Sequence, residues 1–163
     1  VAIQDAMGWT DSHLHEFQMK DPKSHAEVEI GFPSEFAPGI LLSWETAMAD
    51  FFAINNPRAV YTYDFGDDWR HMVILEKILP KESGIRYPRC IKGKRACPPE
   101  DIGGVWGYEE YLEKLRNPDA RDEDDEYCDF DFDPEHFSCA EVVFDDPEER
   151  LKQSGILDSL CID

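Results

Sequence analysis

Two runs of aromatic and β-branched residues constrain the fold of this chain most strongly. Residues 60–63 and residues 69–78 are rich in such side chains, and the short segment between them contains Gly66, Asp67 and Asp68. Aromatic and β-branched residues favour strands, and a Gly/Asp connection favours a tight reversal of the chain. The sequence therefore predicts a long antiparallel hairpin over residues 60–78.

Two other segments, residues 13–19 and residues 26–32, alternate apolar and polar side chains. Alternation of this kind is typical of strands with one buried face, so we expect them to pair across a turn near Asp21. Gly8 is predicted to end a helix at the start of the chain, as glycine often does after a last helical turn.

Helical spacing of apolar residues predicts a helix over residues 43–54 and another from Gly107 to residue 116. Asp133-Pro134 and Asp146-Pro147 each place an N-cap acid before proline, which predicts two short helices near the end. The length of 163 residues favours one domain. We predict a single α+β domain, 1–163, with a mainly antiparallel sheet covered by helices on one face and a loop over residues 80–107 at its edge.

The charge of the chain is unevenly distributed. The formal net charge is −20, and residues 119–149 contain fifteen acidic side chains against one arginine. Residues 81–95 are basic, with six lysines and arginines against one glutamate. A surface this negative repels phosphate backbones, so nucleic acid is not an expected partner. The acidic segment is either a solvated surface or a contact for a basic partner, and its aromatic residues are expected to pack while residues 122–126 stay mobile.

The sequence contains no apolar run long enough for a membrane span and no visible export signal. Its five cysteines are an odd number without regular spacing, which suits a reducing compartment better than a disulfide framework. We therefore expect a cytoplasmic protein that makes no membrane contact.

Several motifs occur in a recognisable order: the hairpin motif of residues 61–71, the segments 87–90 and 96–104 with Cys-Pro-Pro-Glu-Asp-Ile-Gly-Gly, and the flanking segments 6–17 and 132–137. Together they resemble the plasmid pRiA4b ORF-3-like family over most of the chain. The resemblance implies an α+β domain that occurs on plasmids and as a passenger protein of insertion-sequence transposons. It implies no particular biochemical activity.

The chain departs from the family pattern in two places. Family members begin with a strand pair carrying a Pro-Pro-x-x-Trp-Arg-Arg-like stretch, and no segment here matches it. The expectation is a fragment, or a domain that lacks this strand pair. The part of the chain after Ser138 also lies outside the family motifs.

Histidines on the predicted strands are the first candidates for chemistry. His13 and His15 are two residues apart and so share a face, and His71 lies on another strand. Three such ligands could hold Zn, Mn or Fe with an open position for water. The alternative, which the residues favour, is that these histidines pack or form hydrogen bonds as structural side chains.

Cys90 and Cys97 are the second candidates. They lie in a basic loop where Lys92, Lys94 and Arg95 should lower the pKa of each thiol. The two thiols could hold zinc or form a redox pair, although their spacing is that of no standard zinc motif. Ordinary loop or core cysteines are the simpler interpretation.

Acidic and aromatic residues of the family motifs complete the candidates. A metal-dependent hydrolytic site would use acids of this kind, but tight turns also favour aspartate. Aromatic side chains could line a base-stacking groove, although packing in the core is commoner. The acids are Asp64, Asp67, Asp68, Glu100 and Asp101, and the aromatic residues are Trp9, Phe17, Tyr61, Tyr63, Trp69 and Trp106.

Three functional hypotheses follow from these residues. The first is a non-enzymatic binding or accessory module that holds a protein or small-molecule partner through the hairpin and the Cys-Pro-Pro loop. The second is a metal-dependent hydrolase or nuclease-like enzyme with His13, His15 and His71 as ligands and Asp67 or Glu100 activating water. The third is an acidic surface for a basic partner protein.

Overall fold

A computed structural model describes residues 1–33, 39–121, 129 and 131–153. Internal contacts divide the chain into two compact units. The sheet unit comprises His13–Ser83 and Gly103–Gly107, and the loop unit comprises Val1–Ser12, Gly84–Ile102 and the residues from Tyr108 onward. The prediction of a single domain stays a prediction.

The sheet unit contains five strands in the order β3-β2-β1-β4-β5. The pairs β1–β2, β1–β4 and β4–β5 are antiparallel, and β2–β3 is parallel. The strands are β1 (His15–Lys20), β2 (Glu27–Gly31), β3 (Leu41–Leu42), β4 (Arg58–Tyr63) and β5 (Trp69–Ile74). The predicted hairpin is confirmed as β4–β5, although β5 ends at Ile74 instead of residue 78. The predicted pairing of residues 13–19 with 26–32 is confirmed as β1–β2.

Alternation places the apolar side chains of the central strands on one face. Phe17 lies opposite Ile30 on β2 and Tyr61 on β4, and residues directly opposite one another share a face. Met19, Ile30 and Ala59 are buried there, with Phe51 and Phe52 packed against them. This core fixes the strand register, because a shift of one residue would turn these side chains towards the other face.

The helix predicted over residues 43–54 is much shorter in the structure. Only α2 (Met48–Phe51) is helical. The nitrogen of Ser43 donates to Gly31 O at 3.0 Å, and the Trp44 ring packs against Phe32 at 5.4 Å between centroids. Residues 41–44 are therefore held beside β2, an arrangement that the apolar spacing did not predict. The helical segment that remains still covers the core face through Phe51.

The other predicted helices have mixed outcomes. α1 (Ala2–Met7) ends at Gly8, whose φ is 80°, as predicted. α3 (Gly104–Arg116) begins three residues earlier than expected, and a 3₁₀ turn (Pro118–Ala120) follows it. α4 (Pro147–Gln153) is capped by Asp146, whose Oδ1 accepts hydrogen bonds from the nitrogens of Glu148 and Glu149.

The second Asp-Pro sequence does not start a helix. Asp133 Oδ1 accepts a hydrogen bond from the nitrogen of Glu135 at 2.9 Å and closes only a turn. The combination of sheet and helices confirms the α+β class. Across the described residues, none of the helices has both the length and the apolar character needed to cross a bilayer.

Candidate functional site

The connection between β4 and β5 is a loop held by its own aspartates. Asp64 and Asp68 both have positive φ, 55° and 54°, which aspartate tolerates better than most residues. Asp64 Oδ1 accepts a hydrogen bond from Gly66 N at 2.9 Å, and Asp68 N donates to Asp64 O at 2.7 Å. Asp64 is buried, and one of its carboxylate oxygens is used by the hydrogen bond that holds the turn.

The start of α3 is bonded to this loop. Gly103 N donates to Asp67 Oδ2 at 3.1 Å. A Cβ on Gly104 would lie 2.6 Å from Asp67 O, so only glycine fits at this approach. Gly104, in the Gly-Gly-Val-Trp-Gly segment, therefore serves a tight backbone contact.

These two segments carry three large apolar side chains that are exposed. The exposed fraction is 53% for Phe65, 54% for Val105 and 83% for Trp106. We call Phe65, Val105 and Trp106 the turn surface. Trp106 was one of six aromatic candidates for a binding groove, whereas Phe65 and Val105 were not candidates. A tryptophan inside a glycine-rich segment was the sequence feature that could have indicated this surface.

The other aromatic candidates are less accessible. The exposed fractions of Trp9, Tyr61 and Tyr63 are 3% or less. Trp9 Nε1 donates to Pro98 O at 3.0 Å, which satisfies its polar group within the loop unit. Tyr61 and Tyr63 belong to the core face of the sheet, so core packing accounts for them and the strand face offers no aromatic groove.

The three candidate histidines do not come together. Among the described residues, His13, His15 and His71 form no group whose ligand atoms lie close enough to share an ion. His15 lies on β1 and His71 on β5, with β4 between these strands. Alternation along the chain predicted that His13 and His15 share a face, but it did not place β4 between the strands of His15 and His71.

Each histidine has its own surroundings. His13 Nε2 lies 3.7 Å from Asp64 Oδ2, and its ring meets Tyr63 edge-on at 5.9 Å. His15 is buried against Phe32, with 5.0 Å between ring centroids. Burial lowers the pKa of His71, so this side chain favours the neutral form near neutral pH.

The remaining acidic candidates make structural contacts. Asp68 forms an exposed ion pair with Arg70 at 2.8 Å. Glu100 Oε1 accepts hydrogen bonds from Thr10 N at 2.7 Å and from Thr10 Oγ at 3.1 Å. Asp101 is an exposed residue of the loop unit with a φ of 57°. Trp69 is half-buried and lies opposite Tyr63 in the β4–β5 register.

Cys90 lies next to Cys139, whereas Cys97 was the cysteine considered with it from the sequence. Cys90 Sγ lies 3.7 Å from Cys139 Sγ, and the two are 49 positions apart in sequence. Burial, with the charge of Glu100, raises the pKa of Cys97 to about 12, so the expectation of a lowered pKa is wrong for this thiol. Neighbouring lysines and arginines in sequence did not reveal how deeply the sulfur is buried.

The acidic segment is only partly described. Its described carboxylates are all exposed, and the Phe132 ring packs against Tyr111 at 5.6 Å between centroids. Arg95 of the basic segment approaches Glu135 at 3.3 Å, so opposite charges meet within the loop unit. Residues 122–126, expected to be mobile, lie outside the described residues, as do Tyr127, Cys128, Phe130 and Cys161.

A groove of about 510 Å³ lies at another part of the sheet unit. Lys20, Glu27, Arg58 and Met72 are among the residues that line it. None of the candidate residues from the sequence is among the residues that line this groove.

Comparison with known proteins agrees with this architecture. An uncharacterized protein, y4hQ, from Sinorhizobium fredii (strain NBRC 101917 / NGR234) is 35% identical, and the match covers 88% of this chain and 74% of that protein. The crystal structure of a protein of unknown function, MM3350, from Methanosarcina mazei Go1 superposes with a TM-score of 0.81 at 45% identity, covering 88% of this chain and 79% of that one. The sequence model of the plasmid pRiA4b ORF-3-like proteins matches residues 1–141, and the chain belongs to this family.

Proposed function

We propose that this protein is a binding module that holds a protein partner through the turn surface. The observation that carries the proposal is Trp106, whose side chain is 83% exposed at the start of α3. Tryptophan is among the residues that contribute most to protein interfaces, because it buries a large area with few rotatable bonds. An exposed tryptophan, on a segment that is bonded to the loop carrying exposed Phe65, supports contact with another protein.

The backbone that carries these side chains is held in place before any partner binds. The hydrogen bond from Gly103 N to Asp67 Oδ2 and the close approach of Gly104 hold the segment that carries Val105 and Trp106. The Asp64 carboxylate holds the loop that carries Phe65. A surface on fixed backbone loses little conformational entropy on binding, which favours affinity.

Charge supports a partner with basic character. The chain carries a formal net charge of −20. Complementary charges speed association and discourage wrong partners. We therefore propose a partner that offers an apolar pocket bordered by lysine or arginine, which combines the binding-module hypothesis with the acidic-surface hypothesis.

Affinity capture with matched baits tests the proposal. The baits are the wild type, Trp106→Ala and Ile91→Ala, since Ile91 is a comparably exposed apolar side chain, at 81%, outside the turn surface. Loss of an interface tryptophan at a hot spot weakens binding by about 30-fold or more. We expect a protein captured by the wild type and by Ile91→Ala but lost from Trp106→Ala, with capture weakened by salt. Identical captured sets from all three baits would contradict the proposal.

The second candidate function is a metal-dependent hydrolase in which His13 and Asp64 hold a divalent cation. The distance of 3.7 Å between His13 Nε2 and Asp64 Oδ2 is longer than a hydrogen bond. Two ligand atoms that each lie about 2.1 Å from one ion are up to about 4.2 Å apart, so this spacing fits a shared ion. Zn, Mn or Fe would suit an imidazole and carboxylate pair.

Elemental analysis after dialysis tests the cation. The comparison uses the wild type, His13→Ala, Asp64→Asn and the control His136→Ala, because His136 is exposed and pairs with Glu141 elsewhere. We expect the metal to be retained by the wild type and the control and lost from the other two. Equal metal contents in all four proteins would exclude His13 and Asp64 as ligands.

A further inference from the structure

Cys90 and Cys139 form a thiol pair that lies outside the turn surface. Their Sγ atoms are 3.7 Å apart, and Cys90 Sγ also lies 3.8 Å from Lys92 O. Both residues are free cysteines with intermediate burial, so a small solute can reach them. Neither thiol has a role in the proposed partner surface.

The chain on both sides of this pair holds the sulfurs in place. A Cβ on Gly93 would lie 2.3 Å from the Phe137 ring, which shows how closely the two segments approach. Ala96 N donates to Pro134 O at 3.0 Å, and Arg95 pairs with Glu135. Residues 90–96 therefore run beside residues 134–139 in the opposite direction, with the cysteines at one end.

The distance is short enough for a bond between the sulfurs. A disulfide joins sulfur atoms at about 2.05 Å, so the two must approach by less than about 2 Å. Half-buried side chains at the surface of a loop segment can make such a movement by rotation about χ1. Cys97, which the sequence offered as a candidate partner of Cys90, has a thiol pKa of about 12 because of burial and does not form the thiolate near neutral pH.

We propose that Cys90 and Cys139 are a reversible redox pair that a hydroperoxide converts to a disulfide. The Cys90 sulfur attacks a peroxide oxygen and the O–O bond breaks, so that a sulfenic acid forms and the other oxygen leaves with the Cys90 proton, as water from hydrogen peroxide or as an alcohol from an organic hydroperoxide. Cys139 sulfur then attacks Cys90 sulfur, the S–O bond breaks, and the hydroxyl leaves as water with the proton of Cys139. Two thiols lose two electrons to the peroxide, and an external dithiol returns them.

Cys139 is the thiol that attacks in the second step. Burial and the hydrogen bond with Cys90 raise the pKa of Cys139. The disulfide would join the basic loop to the segment after Phe137. In a reducing compartment such a bond forms transiently and signals oxidation instead of serving as a permanent brace.

Peptide mapping of the full chain tests this pair. The wild type, Cys90→Ser, Cys139→Ser and the control Cys97→Ser are treated with graded hydrogen peroxide, alkylated, digested and analysed by mass spectrometry. We expect a cross-linked peptide pair containing Cys90 and Cys139, about 2 Da lighter than the two thiol peptides and reversed by dithiothreitol. It should form in the wild type and in Cys97→Ser and be absent from the other two.

The wild type alone decides the question if a variant fails to fold. Oxidation of Cys90 to sulfinic acid without a cross-link would overturn the proposal, as would a bond from Cys90 to another cysteine or two thiols that stay reduced. As a second readout, the urea midpoint of the wild type should rise on oxidation and fall back on reduction, because the bond closes a long loop in the unfolded chain.

Discussion

Gly103 N donates a hydrogen bond to the side chain of Asp67 at 3.1 Å, and this bond joins the start of α3 to the β4–β5 loop. The next residue, Gly104, has a φ of 66° and lies so close that a Cβ would come within 2.6 Å of Asp67 O. The candidate surface depends on this approach of two backbone segments, since Phe65 lies on one and Trp106 on the other.

Gly104→Ala should destabilise the protein through both strain and overlap. Positive φ costs an alanine about 1–2 kcal/mol, and forced displacement of a packed backbone adds about 1–3 kcal/mol. Gly84→Ala is the control, because Gly84 has a φ of 77° but a Cβ there meets nothing within 4 Å. Urea unfolding should give a clearly larger loss for Gly104→Ala, and equal losses would mean that the close approach is absent.

The strand register predicts different outcomes for two isoleucines. Ile30 is buried in the core cluster, whereas Ile74 is 50% exposed on β5. Ile30→Ala should lower the free energy of unfolding by about 2–4 kcal/mol, since it leaves a cavity. Ile74→Ala should lower it by less than about 1 kcal/mol. If Ile74→Ala proved the more damaging, the assigned faces of the sheet would be incorrect.

Much of the sheet was predictable because strand alternation is a local signal. The β4–β5 hairpin and the β1–β2 pair follow directly from residues that alternate along the chain. The helix over residues 43–54 was overestimated because Leu41 and Leu42 pair with β2, a contact that apolar spacing does not encode.

The candidate sites were less predictable because they depend on distances between segments. The pairing of Cys90 with Cys139 joins positions that no spacing rule connects. Strand parity predicted a shared face for His13 and His15, yet it did not show that β4 lies between the strands of His15 and His71. The sequence also did not predict which aromatic candidates are exposed. The exposed fraction is 2% for Tyr61 and 83% for Trp106.

Arg150 should stabilise the loop unit more than an exposed arginine does. Its Nη1 lies 2.8 Å from Asp5, whose side chain is 2% exposed. Arg150→Met leaves this carboxylate buried without its cation and should lower the free energy of unfolding by about 2–4 kcal/mol.

Arg95→Met is the matched control, because both side chains of the Arg95 and Glu135 pair are mostly exposed. Its cost should be below about 1 kcal/mol. Thermal and urea unfolding of the two variants against the wild type would measure the difference, and a harmless Arg150→Met would show that Asp5 is not buried against this arginine.

Acidification should destabilise the protein through His71. Burial lowers the pKa of His71 in the folded state, so below the unfolded value of about 6.5 the unfolded chain binds the extra proton. This contribution to stability is present above that value and is lost as pH falls. His71→Gln should therefore lose less stability than the wild type between pH 7.5 and pH 5.5.

His136 should act in the opposite sense. The hydrogen bond with Glu141 raises its pKa, so its contribution is present below the unfolded pKa and disappears as pH rises through the folded value. His136→Gln should steepen the loss on acidification. Urea titrations at a series of pH values check both signs, and a shift in the same direction for both variants would refute the assignments.

Site-specific photocrosslinking in the native host tests the central claim most directly. A benzoylphenylalanine placed at Val105, which leaves Trp106 in place, should give a discrete adduct with one partner protein, while the same group at Ile91, which is also exposed, should not. If both positions give the same adducts, or if only Ile91 gives one, the turn surface is not the binding site of this protein.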